Sequence, residues 1–461
     1  MSARAGRAAL AAVLTTLGSF AACEAPPGDR SVAVRLEPLD PGALGGFRQS
    51  ADPALAVDPE SGELYLAWVG ETAQDGGAAP EGVWNLYFAR STDGGATFSS
   101  PARVNDVAGD VHPHAEGAPR LVAAPGVLAL FWNNQYPVEN RTFGAADLRF
   151  SRSLDGGRTW TPAMDLQDDP GGVLPGSNTF HGAAWAGDST LVVAWLDGRE
   201  RDWRRIRRAV AAGVPMEEAK RNPEAFADPD DVHDGDASVY AAFSHDLGAT
   251  WEPTNRRIQE GVCPCCRITL ARGPGGEVFG AWRQNYGESL RDPAFAELGA
   301  GENRSIRIHE DNWAYPGCPH SGPALSIDRS GRAHAAWYTG AEGRMGVHYA
   351  VKGTGQAAFS APVPITTGEA VPIAHPSLVA LPSGGASIAL NVDGQGRRRI
   401  VLVGVSPEGE VTFRVEAPDS EGGTHPQLAL LPDGRVVTAW TETRGGLLRV
   451  RMARLEGKVL R

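Results

Sequence analysis

The chain has 461 residues, 42% of them hydrophobic, with 57 glycines, 34 prolines and a formal net charge of −12. Such a composition belongs to a turn-rich globular protein with ample apolar residues for a core, and it excludes a low-complexity or collagen-like chain. An acidic balance without a basic stripe argues against nucleic acid as a partner.

The first residues read as an export signal. Arg4 and Arg7 supply a positive start, Ala8 to Leu17 an apolar run too short for a good membrane span, and Ala21-Ala22-Cys23 a small-residue cleavage site. Cys23 after two alanines resembles a bacterial lipobox, with Phe20 where that pattern usually has leucine. The resemblance implies removal of residues 1–22, lipidation of Cys23, a tether over 23–30, and a membrane-anchored lipoprotein of the cell envelope facing the periplasm or the exterior.

From residue 31 onward a single domain is expected, running to 461. Alternation of Val32, Val34 and Leu36 predicts a strand over Ser31 to Pro38. A pattern then returns seven times: a strand, a Gly-rich turn, and a second strand usually ending in Ala-Trp. The endings are Ala67-Trp68, Phe131-Trp132, Ala194-Trp195, Ala281-Trp282, Ala336-Trp337, the broken Ala389-Leu390, and Ala439-Trp440. A spacing of roughly 50 to 90 residues is the scale of a four-stranded propeller blade with or without an insertion. The last cycle offers only three strands, and the strand near residue 31 would complete it and close the ring.

Three segments carry a second signature. Ser91-Thr92-Asp93-Gly94-Gly95-Ala96-Thr97-Phe98, Ser153-Leu154-Asp155-Gly156-Gly157-Arg158-Thr159-Trp160 and Ser244-His245-Asp246-Leu247-Gly248-Ala249-Thr250-Trp251 share the form S-x-D-x-G-x-T-[WF]. On these residues the chain resembles the sialidase-like Asp-box (BNR repeat) propeller family. Aspartate and glycine here make a tight turn, so the boxes are structural, and the resemblance places them opposite the active face. The fold class expected is all-β, a single propeller most simply of seven blades, with the six-bladed form of sialidases proper as the alternative. Between the third and fourth cycles, Asp202 to Phe226 places Trp203, Ile206, Val210 and Met216 at helical spacing, predicting a helical insertion over 202–226.

The start of each cycle carries the candidate chemistry. His112 and His114 precede the second, His181 the third, Cys263, Cys265 and Cys266 the fourth, Cys318 and His320 the fifth, His375 the sixth and His425 the seventh. Only Ala51-Asp52-Pro53 lacks histidine or cysteine. First strands of a propeller line its channel, so equivalent starts converge near the axis. Imidazole and thiol suit copper or zinc rather than calcium or magnesium. An exported chain also favours disulfides, and the four cysteines apart from Cys23 allow three pairings, Cys263–Cys266 with Cys265–Cys318 among them.

The family resemblance implies a competing site. A sialidase holds its substrate carboxylate with arginines and uses a tyrosine nucleophile and an aspartate acid/base. Phe47-Arg48 matches the start of that family's Phe-Arg-Ile-Pro motif, while Gln49-Ser50 departs from it; Asp75 lies roughly where the acid/base loop falls. Arg283 and Arg344, with Tyr286 or Tyr338, would complete the set by position alone. Three readings stand together: a copper- or zinc-binding envelope propeller, an exo-glycosidase of sialidase type, and a propeller that binds a glycan or protein ligand without chemistry.

Overall fold

The computed structural model describes residues 34–72, 82–139, 144–168, 176–231, 235–366, 375–394 and 396–457. Signal peptide, tether, Cys23 and Asp75 lie outside them. The described chain is nearly all β and runs as successive antiparallel meanders. The first sheet comprises Phe47–Val57, Leu64–Thr72, Trp84–Ser91 and Ala102–Arg103, and the second Arg120–Ala124, Val127–Tyr136, Ala145–Ser153 and Met164–Asp165. An eight-stranded sheet follows. Its halves, Asn178–Ala186 to Arg256–Val262 and Thr269–Arg272 to Ile306–Arg307, meet through the pair Val262 and Gln284. Two more four-stranded sheets begin at Ala324–Ile327 and Ser377–Ala380.

The closing sheet contains Gly423–Leu430, Val436–Arg444 and Leu447–Glu456, and its fourth strand comes from the other end of the chain. Arg35–Leu39 pairs antiparallel with Leu447–Glu456, from Arg35 opposite Glu456 to Leu39 opposite Met452. The strand that opens each four-strand unit packs against its counterpart in the next, and Gly423–Leu430 packs against Phe47–Val57. This is a β-propeller.

Apolar burial explains the Ala-Trp repeat. Trp68, Trp132, Trp195, Trp282, Trp337 and Trp440 are all fully buried on the second strands. Each reaches the preceding sheet: Trp132 clusters with Tyr65, Leu86 and Phe88, Trp195 with Phe131 and Phe150, and Trp440 with Ile400, Leu402 and Phe413. Trp68 closes the series by clustering with Val437 and Met452 of the last sheet. Where the pattern breaks, Leu390 fills the equivalent place beside Tyr349. The core is therefore divided into layers between neighbouring sheets.

The Asp boxes join third to fourth strands. Ser153 Oγ accepts the Gly157 N–H at 2.9 Å, while Asp155 accepts the Thr159 N–H at 2.9 Å and its hydroxyl at 2.7 Å. Asp93 and Asp246 repeat these bonds. Gly157 has φ +82°, and a Cβ there would meet the Phe88 ring at 2.0 Å. The box aromatics dock on the neighbouring sheet, Trp160 on Phe88 and Trp251 on Phe150.

The stretch expected to be helical holds α1 (Arg199–Ala211) and α2 (Met216–Arg221). Ile206, Ala209 and Ala219 make a small core of their own with Trp203. Tyr240 of the third unit donates its hydroxyl to Glu200 at 2.8 Å, and Arg199 bridges Asp197 and Asp168 at 2.8 and 2.5 Å. These contacts dock the insertion on the side of that unit.

Two predictions follow from the layering and the boxes. Trp132→Ala should destabilise the fold by about 3–5 kcal/mol in denaturant unfolding, whereas Val210→Ala, on the exposed side of α1, should change it by less than about 0.5 kcal/mol. Hydrogen bonds from the Thr159 N–H and hydroxyl hold the Asp155 carboxyl down at about 2. An unfolded aspartate titrates near about 4. The box therefore stabilises the fold above that pH and loses its contribution as pH falls through about 2. Thermal melts of Asp155→Asn should lie below wild type at pH 7, with the gap closing toward pH 2.

Candidate metal centre and axial charge cluster

In each meander the start of the first strand and the turn between second and third strands share one face. Turns between third and fourth strands, hence the Asp boxes, lie on the other. Several first strands open with a bulge: register shifts fall between Ala51 and Ala54, Thr179 and Gly182, and Thr424 and Gln427. Each bulge contains a non-glycine residue with positive φ, namely Asp52 at +54°, Phe180 at +57° and His425 at +52°. His320, before the fifth unit, has φ +48°. Left-handed backbone costs about 1–3 kcal/mol at a non-glycine residue and persists where the surroundings enforce it.

The Cys-Pro-Cys-Cys segment leads from Arg256–Val262 into Thr269–Arg272 and is fixed by the Cys263 N–H donating to the Arg283 carbonyl at 2.9 Å. Cys263, Cys265 and Cys266 are buried, and their sulfurs all lie within 4.8 Å of one another. Cys263 Sγ is 3.7 Å from Cys265 Sγ and 3.3 Å from Cys266 Sγ. Cys318 is exposed on the loop before the fifth unit. All four are free thiols.

One sulfur carries the charge most readily. Hydrogen bonds from Cys265 and Cys266, helped by the Arg291 charge, hold Cys263 well below the usual thiol range against the opposing effect of burial. Burial and the neighbouring Cys263 push Cys266 up. Of the three clustered sulfurs, Cys263 is therefore the one whose surroundings favour the charged form.

The histidines sit apart from the sulfurs: among the described residues no histidine joins this group. His114 caps the short turn Ala115–Gly117, its Nδ1 accepting the Gly117 N–H at 2.9 Å. His181 is buried with Nε2 3.3 Å from the Phe131 carbonyl, and burial lowers its pKa to about 3. His375 Nδ1 accepts the Gly322 N–H at 2.9 Å, so its Nε2 carries the proton toward Glu116. Burial holds the His375 ring neutral, lowered to about 4. His425 Nε2 is 3.0 Å from the other Glu116 oxygen. His112 and His320 are exposed.

Sequence reasoning missed the groups these histidines surround. Burial would raise the Glu116 carboxyl, but His375 and His425 beside it hold it far below the usual range. Asp52 Oδ2 accepts the His114 N–H at 2.6 Å, and burial raises its carboxyl. Arg267 is buried beside them, and its charge opposes that of half-buried Arg120. Position was the available signal: Asp52, Arg120 and Arg267 stand at the same strand starts as the histidines and cysteines.

The residues expected for hydrolysis are placed as follows. Arg48 pairs with Glu71 at 3.1 Å. Arg283 is buried, donating to the carbonyls of Ser321 at 2.8 Å and Tyr338 at 2.7 Å and to that of Arg291. Tyr338 is buried against Trp313. Arg344 pairs with Asp311 at 3.3 Å, and the Tyr286 ring lies under Arg307 at 3.7 Å. Arg283 thus ties strands together with all three of its nitrogens.

No protein-family model matches the sequence, and no curated protein matches it. Solved structures do. The BP39L lectin of Burkholderia pseudomallei is similar with a TM-score of 0.55 and 14% identity over 88% of this chain and 95% of the lectin chain. A polysaccharide lyase, the ulvan lyase PL25 bound to a glucuronyl-rhamnose-sulfate oligosaccharide, gives 0.51 and 10% over 89% of this chain and 94% of its own. The NanB sialidase of Streptococcus pneumoniae gives 0.46 and 10% over 92% and 94%. At these identities the likeness is one of fold.

Proposed function

We propose that this chain is a seven-bladed, lipid-anchored propeller of the bacterial cell envelope that holds copper or zinc in its cysteine cluster. The blade count is supported by the single pair, Val262 and Gln284, that joins the two halves of the eight-stranded sheet. The convergence of Cys263, Cys265 and Cys266 carries the metal reading. Zinc bound to thiolates at about 2.3 Å in a tetrahedron separates the sulfurs by about 3.8 Å. Sulfur spacings of 3.3 and 3.7 Å need little adjustment to meet that geometry. Copper(I), a soft ion, takes the same donors. Cys318, at the exposed edge, would be the fourth ligand and the point of access.

Elemental analysis of protein purified without affinity metals, with thiols counted alongside, tests this reading. About one copper or zinc per chain is expected, lost in Cys263→Ser/Cys266→Ser and retained in His375→Gln, whose ring is engaged with Glu116. Metal-free protein with both thiol pairs oxidised would make the cluster a disulfide staple and end the proposal.

A glycan ligand is the second reading, favoured by a groove of about 860 Å³ between the last two sheets. Arg397, Arg399 and Arg444 line it together with Glu416, Glu421 and Glu442. Charged donors and acceptors of this kind suit hydroxyl-rich or acidic sugars, and the lectin and ulvan lyase of similar fold are named for glycan ligands. Titration with acidic oligosaccharides should give saturable binding that weakens about tenfold or more in Arg397→Ala/Arg399→Ala. Equal binding by that variant would remove the groove from consideration.

A further inference from the structure

We infer that the axial chamber of the propeller is a binding site for a small oxyanion of the sulfate or phosphate kind, gripped between Arg120 and Arg267. This site is independent of the cysteine cluster. Arg267 is 4% exposed, and its Nε and Nη1 meet no acceptor among the described residues. A guanidinium does not shed its proton in a protein. Leaving it buried without acceptors is costly, and a buried charge is ordinarily paired.

The carboxylates near Arg267 are already engaged. Glu116 holds His375 and His425, one on each oxygen. Asp52 accepts the His114 backbone N–H. Their fields favour the charge on Arg267 without supplying the missing hydrogen bonds. Arg120 compounds the problem. It is half-buried, with Nε on the His181 carbonyl at 3.2 Å and Nη1 at 3.5 Å from Gln427, a long contact. The charge of Arg267 makes Arg120 harder to keep ionised.

An oxyanion between them answers both difficulties. It presents several acceptor oxygens to the planar donor forks, the arrangement in which arginine binds most strongly. It also turns a repulsion into two attractions. His181 and His375, buried nearby and held neutral by burial, add no positive charge, so selectivity rests on the two arginines. Arg48, paired with Glu71, takes no part.

Crystals of the wild-type protein soaked in selenate provide the direct test, because selenium marks the anion by anomalous diffraction. A peak within hydrogen-bond distance of Arg267 is expected. In solution, sulfate should raise the thermal midpoint above that in sodium chloride of equal ionic strength. Arg267→Met should bind sulfate about tenfold more weakly or worse; Arg267→Lys, which keeps the charge but loses the fork, should fall between. No selenium in the chamber and equal midpoints in sulfate and chloride would overturn the inference. So would an Arg267→Lys or Arg267→Met protein that keeps the full sulfate response. The diffraction result stands even where a variant fails to fold.

Discussion

Every sheet of this molecule has a face that only its neighbour can cover, and the tryptophan on the second strand is the piece that does it. Trp132 lies among side chains of the sheet before it, and Trp68 among those of the last sheet in the chain. No unit can bury its own apolar surface, so stability is a property of the ring. A fully buried tryptophan removes about 150–250 Å² from water, the equivalent of about 4–6 kcal/mol as an upper bound. Six such residues, with Leu390 where the pattern breaks, fix the spacing of the layers and hence the width left between the strand starts.

That width determines what can meet at the axis. Residues 52, 116, 120, 267, 375 and 425 come from units far apart in the chain and form one cluster of interacting groups. Bulges at the strand starts, with their left-handed residues, belong to the same construction: the backbone is held in a costly conformation where the polar groups gather. The sulfurs form a second, separate centre at the start of the fourth unit. One face of the ring thus carries charge and thiol chemistry. The other carries Asp boxes, whose aspartates hold turns.

Much of the scaffold was legible in the sequence because its signals are local and repeated. A tryptophan closing a second strand, or an aspartate four residues before a threonine to which it bonds, can be recognised wherever it occurs. Three of the five cysteines lie within four residues, so their meeting needed no fold. The separation of histidine from sulfur was not legible. It depends on His375 finding the Gly322 N–H and Glu116 across the ring, contacts that no spacing encodes. Glu116, Arg120 and Arg267 escaped notice for the same reason, since a lone glutamate or arginine at a strand start looks like a surface residue. Arg283 shows the reverse error of inference. Its place near a strand end suggested a ligand for a substrate carboxylate, whereas its three nitrogens are satisfied by backbone carbonyls.

The strand that completes the last sheet has a further meaning for how the chain reaches its final form. Arg35–Leu39 leaves the ribosome among the first described residues, and its partner Leu447–Glu456 among the last. Joining ends some 400 residues apart costs about 5 kcal/mol in loop entropy, a cost lightened as intervening sheets stack. Until then both strands wait with open hydrogen-bonding edges, the condition under which chains join to one another. Exposed Arg35 and Glu37, in contact with each other, put opposite charges along the waiting strand. Those charges discourage it from pairing with another chain, so the same five residues act as a latch in the finished ring and as a guard before it closes.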